Sequence, residues 1–246
     1  MNNFQKSSQY YDLIYRKKSY LKESEFIKKF IKKDLKRKNI LEIGCGTGGH
    51  ANILSKSNFN LFCLDPSKEM IKIAKLKYKK QNVKFFCTKL ETFNNRKKFD
   101  VCLSLFHVIN YFNSTNKLKK FFKLTHKFLK KDGLLIFDFW NGYGVENSPP
   151  KKTLKVIKNN KFKLTRFAIP KFIKNKKQVI INYNYQIIKK NKKINFSEKH
   201  KLRYVFPKDI EMFSKKKFKI IKVGKWMTFK KPKKNDWFAY AVLKAI

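Results

Sequence analysis

The chain has 246 residues, with 61 Lys and Arg against 16 Asp and Glu for a formal charge of +45, yet 42% of its residues are hydrophobic and 16% aromatic. That apolar share excludes an unfolded polycation, because a disordered chain lacks the side chains needed to offset chain entropy. Only five basic residues are Arg (Arg16, Arg37, Arg96, Arg166 and Arg203), in a chain crowded with Asn, Ile and Phe, whose codons are A/T-rich; the charge reads either as a background of solvated Lys or as the mark of a polyanionic partner.

The first residues, MNNFQKSSQYYDLIY, lack the basic start and uninterrupted apolar run of a secretory leader. No window reaches the roughly 18 to 20 apolar residues of a membrane-spanning helix. Cys45, Cys63, Cys87 and Cys102 have no CxxC spacing, and three of them lie in apolar runs (LFCL, FFCT, DVCL) that read as buried strands. Buried, reduced thiols in a cytoplasmic protein fit this pattern better than zinc or a redox pair.

In chain order, SYLKESEFIKKFIKKDL (19–35) predicts an amphipathic helix with Leu21, Phe26, Ile27, Phe30 and Ile31 on its apolar face. NILEIG (39–44) predicts a strand and residues near 48–57 a helix; NLFCLD (60–65) predicts a second strand and KEMIKIAKLKYKK (68–80) a second helix, apolar at 70, 71, 73, 74 and 76. VKFFC (83–87), FDVCLSLF (99–106) and GLLIFDFW (133–140) are further strands, with KLKKFFKLTHKFLKK (117–131) a helix before the last. Continuous apolar strands alternating with helices mean a parallel sheet covered on both faces, a doubly wound α/β fold.

After residue 146 the pattern changes. TLKVIKN (153–159), KFKLTRFAI (161–169), KQVIINYNYQIIKK (177–190) and KHKLRYVF (199–206) alternate near period two between Lys/Asn turns, which predicts antiparallel strands. Pro207 and Asp209 mark a helix start, and strands FKIIKVG (218–224) and WFAYAVLKA (237–245) follow. Residues 151–204 therefore read as an antiparallel insertion between two parts of one α/β domain, 1–150 and 205–246.

The most informative stretch is ILEIGCGTGGH (40–50), an apolar strand running into Glu42, Gly44, Cys45, Gly46, Thr47, Gly48 and Gly49. Such glycines admit positive φ and let a ligand reach the backbone, though they also suit tight strand-to-helix packing. Asp65 stands 19 residues after Gly46 at the end of the next apolar strand, where a carboxylate can accept from both hydroxyls of a ribose. A dinucleotide enzyme would normally show GxGxxG with its pyrophosphate on the helix N-terminus. Here Glu42 precedes the first glycine by two residues, and its charge would repel a pyrophosphate.

The run E-x-G-x-G-x-G resembles the first motif of the class I S-adenosylmethionine-dependent methyltransferases, and Asp65-Pro66-Ser67 with Met70 is similar to their second. FDVCLSLFHVINYF (99–112) resembles their fourth strand and the loop after it, and LKKDGLLIFDFWNG (129–142) their fifth. YYDLIYRKKSYLKE is similar to the N-terminal segment of small-molecule N-methyltransferases, particularly those acting on sugar nucleotides. The resemblance implies a Rossmann-like, mostly parallel seven-stranded sheet with the antiparallel insertion after the fifth strand, serving as a lid over the acceptor. It implies S-adenosylmethionine as cofactor, leaving S-adenosylhomocysteine, held by Tyr11, Tyr20, Glu42, Gly44, Cys45, Gly46, Asp65, Pro66, Met70, Lys89, Leu90 and Leu105. Lys89 departs from the family pattern, which often has an acid there to meet the adenine amine; backbone at Lys89 and Leu90 is the alternative contact.

Methyl transfer from a sulfonium is an in-line displacement, so the enzyme aligns acceptor and methyl and keeps the acceptor nucleophilic. His107 and Tyr111, in the loop after the fourth strand, are the candidate catalytic residues, to accept a proton or orient a lone pair; His107 can equally be a packed ring. Asn110 either bonds substrate or caps the turn. Tyr10, Tyr11 and Tyr15 are either aromatic walls over the cofactor or a packed helix face, and Trp140 and Asn141 end the fifth strand beside the expected acceptor. His50, His126 and His200 show no carboxylate or Cys at ligand spacing, so no metal is expected.

The expected function is methyl transfer to a small acceptor, the amine of a sugar nucleotide or a similar metabolite, with no membrane partner; the pattern also allows a homodimer. The rival is an RNA methyltransferase, prompted by the charge. Against it, SLFHVINY lacks the (Asn/Asp)-Pro-Pro-aromatic turn that clamps a base, Asn-Ser-Pro-Pro at 147–150 lies one strand too late, and Lys is scattered rather than gathered in a stripe. A non-catalytic S-adenosylmethionine-binding protein is the third alternative.

Overall fold

A computed structural model of the chain describes residues 4–31, 38–57, 59–78, 82–190 and 192–246. The apolar runs that predict strands become β1 (Lys38–Ile43), β2 (Phe59–Asp65), β3 (Val83–Cys87), β4 (Phe99–Ser104), β5 (Leu129–Trp140), β10 (Phe218–Lys225) and β11 (Phe238–Ala245). They form one seven-stranded sheet in the order β10-β11-β5-β4-β1-β2-β3, in which β11 alone runs antiparallel to its neighbours. This is the Rossmann-like α/β sheet. Two apolar clusters cover its faces, one built on Leu41, Phe99, Phe121, Phe137 and Leu243, the other on Ile27, Ile40, Leu54, Cys63 and Val242. Because β1 pairs with β2 on one side and β4 on the other, the strand order reverses there and opens a crevice at the carboxyl ends of β1 and β4.

The helices over this sheet are α2 (Tyr20–Lys28), α3 (Gly49–Ser55), α4 (Lys68–Lys77), α5 (Thr115–Phe128) and α7 (Pro207–Ser214). Ser67 and Ser114 cap α4 and α5 by accepting from the backbone N–H of Met70 and Lys117. Helix α2 is shorter than the pattern over 19–35 predicts. After Lys28 the backbone tightens into i→i−3 bonds, Lys29 to Phe26, Phe30 to Ile27 and Ile31 to Lys28; residues 32–35, like 79–80 of the next predicted helix, lie outside the described residues. Phe26, Ile27 and Ile31 are buried as expected, whereas Leu21 and Leu76 face solvent. Cys45, Cys63 and Cys102 are buried, but Cys87 is exposed, because it ends the edge strand β3.

A second sheet of four antiparallel strands, β6 (Thr153–Lys158), β7 (Lys163–Ile173), β8 (Gln178–Lys189) and β9 (Lys192–Arg203), follows the short helix α6 (Gly142–Asn147). Alternate residues of β8, Val179, Ile181, Tyr185 and Ile187, turn inward. One part of that face packs on Tyr204, Phe206, Tyr111 and Trp140; the other packs on Ile14, Tyr10 and Tyr15 of the N-terminal segment, where α1 (Tyr11–Ile14) lies. The N-terminal segment is thereby held between the second sheet and the crevice.

Candidate functional site

The turn after β1 is fastened to β2: the N–H groups of Gly44 and Cys45 both donate to the Leu64 carbonyl, at 2.7 and 2.9 Å. Gly44 has φ +71°, and a Cβ there would stand 2.6 Å from Val108. Gly46 has φ +55°, and nothing lies within 4 Å of where its Cβ would be. The first glycine serves close packing; the second faces open space at the crevice. Asp65 clamps the arrangement, its Oδ2 accepting from Gly46 N–H at 2.9 Å and its Oδ1 from Ser67 N–H at 2.8 Å. Burial pushes its carboxyl up to about 6, although both N–H donors pull the other way. Pro66 is exposed, Met70 is fully buried in the first turn of α4, and Cys45 is buried within the glycine turn.

Below this turn lies a buried acid. Glu42 takes the Cys63 thiol at 3.7 Å and has His50 Nδ1 3.7 Å from its Oε1; burial pushes it up to about 7, against the pull of His50. His50 is not the isolated histidine the sequence spacing implies: its Nε2 lies 2.8 Å from Glu23, which also pairs with Lys18 at 2.6 Å. Folding brings together groups that are 27 residues apart in the chain. Tyr20 packs its ring edge-on to His50 at 4.9 Å and against Gly49, so its ring backs the glycine turn. Thr47 donates to Asp12 of α1 at 2.6 Å, and Lys77 of α4 also pairs with Asp12, tying the N-terminal segment over the crevice.

The loop after β4 forms the opposite wall. Leu105 is buried, and the two residues after it, Phe106 and His107, both adopt left-handed backbone at φ +62°, a conformation that costs non-glycine residues about 1–2 kcal/mol each. Asp138 of β5 holds it: the His107 N–H donates to the carboxylate at 3.2 Å, and His107 Nδ1 lies 2.6 Å from Asp138 Oδ2. The His107 ring is also stacked on Phe238, centroids 4.9 Å apart. Asp138 is fully buried, which alone would raise its pKa, yet the charge and hydrogen bonds of His107 more than offset this and keep it below the ordinary range. Sequence reading missed Asp138. Its signal was an acid inside the apolar run GLLIFDFW.

Asn110 is a stitch: its side chain donates to the Arg203 carbonyl at 2.5 Å and accepts from Trp140 N–H at 3.2 Å, joining the loop to β5 and β9. Asn141 likewise donates to the Asp236 carbonyl at 2.8 Å. Tyr111 instead meets the second sheet, its hydroxyl 2.7 Å from His200 Nδ1. Tyr11, Tyr15, Tyr111, Tyr183, Tyr185 and His200 wall a small cavity. Here too the sequence reading is corrected: Glu198 and His200 sit two apart on β9, hence on one face, with Nε2 3.6 Å from the carboxylate. At the far end of the crevice, Lys89 is exposed and its carbonyl accepts from Thr92 and Phe93 N–H at 3.2 and 3.0 Å, while the Leu90 side chain is buried in the core.

No group of three or more His, Cys, Asp or Glu able to hold a metal ion occurs among the described residues. Nor is any described helix long and apolar enough to cross a membrane.

Residues 40–133 match a family described as a methyltransferase domain. A protein of Methanocaldococcus jannaschii is 35% identical over 173 residues, a match covering 68% of this chain and 60% of that one; the chain thus spans about three fifths of that relative's length. An S-adenosylmethionine-dependent methyltransferase of Clostridium acetobutylicum superposes with a TM-score of 0.81 at 24% identity, covering 97% of this chain and 96% of that one. A sugar N-methyltransferase of a Streptoalloteichus species gives a TM-score of 0.76 at 18% identity, covering 94% and 92%. Residues 40–133 match the methyltransferase-domain family, and the chain as a whole shares its Rossmann-like fold with the S-adenosylmethionine-dependent methyltransferase on which it superposes.

Proposed function

We propose that the protein transfers a methyl group from S-adenosylmethionine to a small acceptor, the amine of a sugar nucleotide or a similar metabolite. The observation that carries this is the glycine turn, open at Gly46 and clamped by the buried Asp65 carboxylate at the sheet's switch point. The site fits that cofactor. Each Asp65 oxygen takes one backbone N–H and keeps lone-pair capacity for a ribose hydroxyl. Glu42 lies beneath the same turn, a buried acid suited to a cationic amino-acid end. When bound, S-adenosylmethionine supplies an electrophilic methyl on a sulfonium.

The chain's own residues then align and deprotonate. An amine attacks only through its free lone pair, so the enzyme gains by fixing the acceptor nitrogen and accepting its proton. His107, oriented by Asp138, and Tyr111 carry these roles. The second sheet, residues 151–204, covers the acceptor, while residues 1–150 and 205–246 hold the cofactor. The net charge of +45 raises the local concentration of an anionic, diphosphate-bearing substrate. The solved sugar N-methyltransferase with this fold supports the acceptor class. Titration calorimetry with S-adenosylmethionine tests the cofactor half of the reading: micromolar binding is expected, and no binding would remove every methyl-transfer role.

A further inference from the structure

Behind Tyr111 lie two groups to which the alignment and deprotonation of the acceptor assign no role, the buried His200 and, beside it, Glu198. His200 is almost entirely buried, its Nδ1 2.7 Å from the Tyr111 hydroxyl, and its Nε2 has no hydrogen-bond partner of good geometry, facing Glu198 at 3.6 Å. Glu198 is itself anchored by Ser7, whose N–H and hydroxyl donate to it at 3.1 and 2.6 Å. Burial would raise its carboxyl, but His200 and Ser7 more than offset that and hold it below its ordinary range. The cavity beside Tyr111 and His200 has a volume of about 20 Å³, room for a single small polar group.

We propose that His200 is a positioning residue of the acceptor site and takes the reaction's proton through Tyr111. This rests on the methyl-transfer reading. In methylation of an amine the N–C bond forms as the C–S bond breaks, its electron pair staying on sulfur, and the ammonium product carries one excess proton. That proton passes to the Tyr111 oxygen as the tyrosine's own proton moves to His200 Nδ1. Glu198 stabilises the imidazolium at Nε2, and the proton later leaves to solvent. The geometry requires neutral His200 to be the Nε2–H tautomer, accepting from Tyr111. The groups facing His200 are Phe4 of the N-terminal segment, Tyr111, Tyr183 of β8 and Glu198 of β9, the last held by Ser7. Tyr11, Tyr15 and Tyr185 wall the same cavity, and Arg166 lies 5.0 Å over the Tyr183 ring. Among the described residues the cluster thus sets Glu198 and His200 among tyrosines, with two cations at its edge, Arg166 and, 5.8 Å over the Tyr15 ring, Lys155.

Nitrogen-15 NMR of the full chain at pH 8, without ligand, reads the tautomer. The Nε2–H form supports the relay; the Nδ1–H form overturns it, because that ring donates to Tyr111 and its only free lone pair, on Nε2, faces Glu198 instead. The second arm follows transfer of labelled methyl from S-adenosylmethionine to a diphosphonucleotide-linked amino sugar. Tyr111→Phe and His200→Gln should each lower kcat about 10- to 100-fold, leave KM for S-adenosylmethionine unchanged and abolish the low-pH limb of the kcat profile. Tyr111→Phe keeps the ring and guards against misfolding of the histidine variant. Unchanged kcat and pH profile with a lowered Tm would make the cluster structural and overturn the proposal. Wild-type protein that binds no S-adenosylmethionine overturns the methyl-transfer reading and the relay with it; cofactor binding with no turnover of the amino sugar overturns the acceptor class on which the relay depends.

Discussion

One buried acid, Asp138, fixes both the ring and the backbone of His107: the carboxylate is 2.6 Å from Nδ1 and accepts the His107 N–H at 3.2 Å, across a turn in which two successive residues adopt left-handed φ. Asp138→Asn keeps the shape but removes the charge that selects the ring's orientation. The account predicts a kcat about 10- to 100-fold lower, with the affinity for S-adenosylmethionine within about twofold of wild type. Steady-state kinetics beside calorimetry on the same preparation checks this.

The two acids at the glycine turn predict that binding releases protons. In the free protein burial raises Asp65 to about 6 and Glu42 to about 7; a ligand that brings two hydroxyl donors and a cationic amine favours the carboxylates and lowers both values. Affinity should therefore rise with pH between about 5.5 and 7.5. Calorimetry at pH 6.5 in two buffers of different ionisation enthalpy should show net proton release, and net uptake would contradict the assignment.

The same shifts act on stability with a definite sign. A carboxyl whose folded pKa is raised contributes fully below its unfolded value and loses that contribution as pH climbs through the folded one. Without ligand, the fold should lose stability from these two groups as pH rises from about 4 toward 7. Glu42→Gln should flatten that slope in urea unfolding measured across the range.

Two glycines in one turn should respond differently. A Cβ on Gly44 meets Val108 at 2.6 Å at φ +71°, so Gly44→Ala should cost about 2–3 kcal/mol and lower Tm by roughly 5–10 °C. Gly46→Ala meets nothing within 4 Å, so it should cost about 1 kcal/mol of backbone strain while weakening S-adenosylmethionine binding at least tenfold. Thermal melts and calorimetry on the pair separate packing from ligand space.

The parallel sheet was legible because β1, β2 and β4 are runs of apolar residues that only a sheet covered on both faces can bury. Glu42 and Asp65 were legible for a related reason: each is a charge in or at the end of such a run. Asp138 broke its run in the same way and could have been found by that rule. The His200–Tyr111 contact could not, since it joins a loop and a strand 89 residues apart. The first half of β9, KKINFS, was also missed, because its outward positions carry Lys and Asn that look like turn residues. The sequence pattern carries the helix to 131 and opens the strand at 133, yet α5 ends at Phe128 and β5 begins at Leu129; Asp132 turns at φ +61° and the pairing with β4 skips from Leu129 to Leu134, so a bulge carries the polar residues.

The charge of +45 leaves a sharp choice of acceptor, which one experiment decides. Labelled S-adenosylmethionine is incubated with the protein and, side by side, nucleotide-linked amino sugars and bulk RNA. The account predicts label in a small amine, abolished by Asp65→Ala. Label in RNA alone, or an unchanged rate in the Asp65→Ala protein, would contradict it.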